Sequence, residues 1–69
     1  MPTFEVMYDD IEGWSNHILD FVDKNRKNKS CFINLKTKNL EKLKNMLPSD
    51  VKMDIWLTDD LRSKVEILY

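Results

Sequence analysis

The chain has 69 residues with 11 Lys+Arg, 12 Asp+Glu and 1 His, a net charge of −1, which bounds it to a single compact domain spanning residues 1–69. With 42% hydrophobic and 33% charged residues it is too apolar for disorder, and 1 Gly and 2 Pro exclude low-complexity and linker readings. No apolar run approaches the roughly 18–20 residues of a transmembrane helix, and the N-terminus lacks the basic and apolar regions of a signal peptide.

Cys31 is the single cysteine, so no intramolecular disulfide can form, and one Cys with one His cannot build a zinc site. These features predict an intracellular, cytoplasmic chain without cofactor or metal, folding on its apolar core alone. Such a core supplies about 3–5 kcal/mol at this size. Ala and Gln are absent, and Lys outnumbers Arg nine to two. That is the codon bias of an AT-rich genome, shared by bacteria, their phages and their plasmids.

Charge is segmented. Residues 1–23 carry Glu5, Asp9, Asp10, Glu12, Asp20 and Asp23 with no basic residue. Residues 24–47 carry Lys24, Arg26, Lys27, Lys29, Lys36, Lys38, Lys42 and Lys44 against Glu41 alone. Either these charges pair once folded, or they make a dipolar surface that orients a partner.

Residues 3–8 alternate Phe4, Val6 and Tyr8 against Glu5 and Met7, which predicts a strand with one buried face. Asp9-Asp10 offers a cap to a helix over about 11–25, striped by Ile11, Trp14, Ile18, Phe21 and Val22. Residues 25–30 are a polar loop. Residues 31–36 alternate again, with Cys31, Ile33 and Leu35 inward. Thr37 can cap a second helix carrying Leu40, Leu43 and Leu47, which Pro48 stops. Residues 51–57 place Val51, Met53, Ile55 and Leu57 on one buried face, and residues 64–69 place Val65, Ile67 and Tyr69 on another. Thr58-Asp59-Asp60-Leu61 also reads as a capped helix start with Leu61, Val65 and Leu68 as its stripe. Val, Ile and Tyr favour the hairpin.

The expected fold is therefore α+β, in the order β-α-β-α-β-β: a four-stranded mixed sheet with two helices packed on one face. Strands one, two and three should run in the same direction. The loops after them carry Asp9, Asp10, Glu12, Lys38, Asp59 and Asp60, at the sheet end where open α/β sheets bind ligands. The uncovered face receives Met7, Phe32, Trp56 and Leu68 among polar neighbours, a candidate apolar patch.

The chemistry of catalysis is missing. Acidic residues stand where a phosphate loop needs glycines and bare amides. His17 has no Cys or Ser nearby in sequence, and Cys31 reads as a core residue. The aspartate pairs Asp9-Asp10 and Asp59-Asp60 read as caps and turns rather than metal ligands. The expectation is a small non-enzymatic protein-binding module, for instance a phage or mobile-element inhibitor or adaptor. It would bind through an acidic edge (Asp9, Asp10, Glu12, Asp59, Asp60) and the open face (Met7, Phe32, Trp56, Leu68). The partner would be a host or cognate protein, one version being a protein that itself binds nucleic acid, and a homodimer through the open face also fits. The alternative is a single-stranded RNA binder stacking bases on Phe32 and Trp56 beside Lys36, Lys52 and Lys64. Glu5, Asp54 and Glu66 share that face and weigh against it.

Overall fold

The computed structural model describes residues 2–7, 9–57 and 61–69. The elements are β1 (Thr3–Glu5), α1 (Ser15–Lys24), β2 (Ser30–Lys36), α2 (Leu40–Met46), β3 (Lys52–Leu57) and β4 (Arg62–Leu68). The sheet order is β1-β2-β4-β3. β1 lies parallel to β2, and β4 runs antiparallel to both β2 and β3. β1, β2 and β3 thus share a direction, as expected, but β4 inserts between β2 and β3 and leaves β3 at the edge.

Alternation drives this arrangement. In β2 and β4 every second residue is buried: Cys31, Ile33 and Leu35, then Ser63, Val65 and Ile67. These meet Val6, Ile11, Ile18, Val22 and Leu43 in one core. Side chains from both helices enter it, so both helices cover the same face. The final segment is a strand, not a helix, because it is sandwiched between two strands with its inward residues buried.

Three boundaries differ from the sequence expectation. β1 ends at Glu5, although the Val6 amide still donates to Asn34 O at 2.8 Å. Asp10 Oδ1 accepts the Glu12 amide at 3.0 Å and so caps a 3-10 turn over Glu12–Trp14, and α1 begins only at Ser15. Thr37 does not cap its helix. Its hydroxyl instead meets Ser63 Oγ at 2.9 Å, which satisfies a buried hydroxyl facing the core. Tyr8 lies outside the described residues.

The largest correction is Ile55. It lies on the helix-covered face, in register with Val65, yet is 48% exposed. Alternation assigned it the right face, but burial also requires cover. At the sheet edge the helices do not supply it.

α1 is closed at its C-terminus by two side chains and a backbone amide, because a helix leaves its last four carbonyls without internal partners. Asn25 Nδ2 donates to Phe21 O at 2.8 Å, Tyr69 Oη to Val22 O at 2.5 Å, and the Arg26 amide to Asp23 O at 3.2 Å. Phe21 also packs on Phe4, with ring centroids 5.4 Å apart. No described helix is long and apolar enough to cross a membrane.

Candidate interaction surface

The uncovered face is built row by row from the strand register. One row runs Thr3, Phe32, Glu66, Asp54, and the next runs Glu5, Asn34, Lys64, Trp56. Lys36 and Arg62 lie opposite each other toward one end of the sheet, and Ser30, Leu68 and Lys52 toward the other.

Trp56 is 56% exposed. It sits on the edge strand, and only Lys64 stands directly opposite it. Phe32 is half-buried, and Lys64 Nζ lies 4.4 Å from its ring centroid, a cation–π contact that covers one ring face. Glu5 accepts from Asn34 Nδ2 at 2.5 Å and pairs with Arg62 at 3.3 Å. Arg62 also donates to Val6 O at 3.3 Å.

The four apolar residues do not form one patch. Phe32 and Trp56 are on β2 and β3 with β4 between them, two residues apart in register. Met7 is 69% exposed beyond the end of β1, while Leu68 lies at the opposite end of the sheet. The surface is a largely polar face, paired around Glu5, with a single prominent indole.

The described residues of the acidic edge, Asp9, Asp10 and Glu12, are paired with lysines. Lys36 Nζ pairs with Asp9, and Lys42 Nζ reaches Asp10 at 3.2 Å and Glu12 at 3.3 Å. The Lys36 hydrogen bond, then its charge, holds the Asp9 carboxyl below its ordinary value. The Glu12 amide, then Lys42, does the same for Asp10. At these three residues the charges segmented along the chain close on each other in space, as the first of the two readings expects. Asp59 and Asp60 lie outside the described residues. At the opposite end Arg26 bridges Asp23 and Asp50, at 3.2 and 2.8 Å. Lys24, Lys27 and Lys29 have no ion-pair partner there among the described residues.

Sequence reading missed a cleft of about 530 Å³ beyond the strand ends, lined by Asp9, Lys36, Thr37, Lys38 and Leu61. The loop positions pointed to this end of the sheet. Leu61, which is strongly exposed, entered the sequence reading only as part of an alternative helix stripe with Val65 and Leu68.

Cys31 is fully buried, and burial raises its thiol above the ordinary value, so the nucleophilic thiolate is disfavoured. His17 is exposed against Trp14, ring to ring at 5.0 Å. Among the described residues no three His, Cys, Asp or Glu side chains converge as metal ligands would. No family model, curated protein or solved structure matches this chain.

Proposed function

We propose that the protein acts by stoichiometric binding to another protein, without turnover, through its uncovered sheet face. Trp56 is the anchor, and Asp9, Asp10 and Glu12 with their lysine partners form the rim. One observation carries the reading: a large indole, more than half exposed, stands on a regular edge strand opposite Lys64, on an otherwise largely polar face. A rigid backbone presents it at little entropic cost, and buried aromatics contribute most of the energy at protein interfaces. The partner is a host or cognate protein inside the cell, and the role of an inhibitor or adaptor from a phage or mobile element suits a chain of this size and codon usage.

The RNA alternative loses support from Lys64. Its ammonium already covers one face of Phe32, and Glu66 and Asp54 flank that ring in the same row, where they would repel phosphates. Two measurements test the proposal. Proteins retained from a bacterial lysate by the native chain and lost with Trp56→Ala are identified by mass spectrometry. The purified pair is then measured by surface plasmon resonance. Trp56→Ala should weaken binding by at least about 2 kcal/mol, mainly through faster dissociation. Tight binding of labelled single-stranded RNA that vanishes with Lys36→Glu would establish the alternative.

A further inference from the structure

The outer edge of β3 carries groups that its own chain leaves unmatched. Asp54 stands opposite Glu66, a like charge, and Lys52 stands opposite Leu68. Neither Lys52 nor Asp54 has an ion-pair partner among the described residues. On the other face Ile55 is half exposed although it points to the side the helices cover. Among the described residues β3 pairs with β4 alone, so the backbone groups of its other edge meet no described strand.

We propose that a second copy of this chain pairs with β3, antiparallel about a two-fold axis at Met53, joining two four-stranded sheets into one of eight strands. A two-fold pairing that keeps the covered faces on one side opposes odd with odd positions and even with even. Centred on Met53, it places Lys52 of each copy opposite Asp54 of the other, and Ile55 opposite Val51. Centred on Lys52 or on Asp54, it opposes like charges, which destabilises cross-strand pairs. Centred on Ile55, it pairs no charges and leaves each carboxylate facing an indole. Among the registers centred on Lys52 to Ile55, the Met53 register is therefore the one that matches charge within β3, and it also gives Asp54 a cation to offset Glu66. Charged side chains on an edge strand ordinarily ward off pairing with other strands. Here the same two residues ward off wrong registers and complement each other in one. β1, the other edge, spans only Thr3–Glu5, and the same operation there would oppose Thr3 with Glu5 and match nothing.

Sedimentation equilibrium at low salt, from about 5 µM to about 1 mM, tests this pairing. A monomer–dimer equilibrium is expected within that range. Asp54→Lys and Lys52→Asp should each weaken the dimer roughly tenfold or more, because each sets like charges at both symmetry-related positions. The double reversal should restore it to within about threefold. A chain monomeric throughout, a dimer indifferent to either single reversal, or a double reversal that fails to restore it overturns the proposal. Circular dichroism melts in dilute solution check that each variant folds. Met53→Cys gives a second test that needs no charge change. Opposed residues about the axis lie about 4.5–5.5 Å apart at Cα, within disulfide reach. Oxidation should cross-link that variant and spare Ile55→Cys, and the reverse pattern also overturns the register. Trp56→Ala should leave self-association intact, so this proposal and the binding of another protein through Trp56 fail separately.

Discussion

Tyr69 follows β4, and its hydroxyl joins two distant elements. It donates to Val22 O at 2.5 Å, and the Cys31 sulfur lies 3.2 Å from the same oxygen. Since the phenol proton is directed at Val22, the thiol is the donor to Tyr69 Oη. Tyr69→Phe removes the partner of a helix-terminal carbonyl and should cost about 1 kcal/mol, read from the urea midpoint at unchanged slope. Leu35 and Ile55 both fall on the covered face by alternation, but Leu35 is fully buried and Ile55 is not. Leu35→Ala should cost about 2–5 kcal/mol, most of the stability of a chain this size, and leave it largely unfolded. Ile55→Ala should cost about 1 kcal/mol or less and still melt cooperatively, since half its side chain already meets water. Alternation in sequence identified the face of both residues. It could not rank them, because exposure depends on whether a helix lies above that point of the sheet.

Among elements, β4 has the largest consequence. It is the last strand in sequence and an inner strand in space, and it provides the pairing that β3 makes. A chain truncated after Leu61 should lose all cooperative melting by circular dichroism, because β3 would lose its ladder and the core would lose Val65 and Ile67. A truncated chain with an unchanged midpoint would contradict this order. The helix starts were less legible than the strands. Asp10 and Thr37 both carry good capping chemistry, yet Asp10 caps a 3-10 turn and Thr37 turns to Ser63. The choice between a local amide and a distant hydroxyl depends on which strand arrives beside the loop, and no local pattern contains that information.

For the whole molecule, charge pairing and a few buried protons set the response to pH. Burial raises the Tyr69 phenol well above its ordinary 10.0, and burial raises the Cys31 thiol above 9.0. Both groups are neutral when protonated and hold the proton more tightly in the folded state. Their contribution is therefore complete below those ordinary values and is lost as pH rises beyond them. Thermal midpoints should fall from about pH 9 upward, and Tyr69→Phe should flatten that fall. On the acid side Asp9, Asp10 and Asp50 are lowered by their hydrogen bonds, so their support is present above about pH 4 and fades below it. These pairs are exposed, and salt should screen them. By itself the sequence determined the α+β class, the order of elements and the face each strand residue takes. A period of two or 3.6 residues is a local property of the backbone, and burying one face forces that period into the chain. Only the tertiary structure decided that β4 lies inside and β3 outside, that Lys36 and Lys42 close the acidic edge, and that Phe32, Trp56, Met7 and Leu68 stay apart. Strand order and charge pairing depend on which segments meet, and those distances in space are independent of separation along the chain.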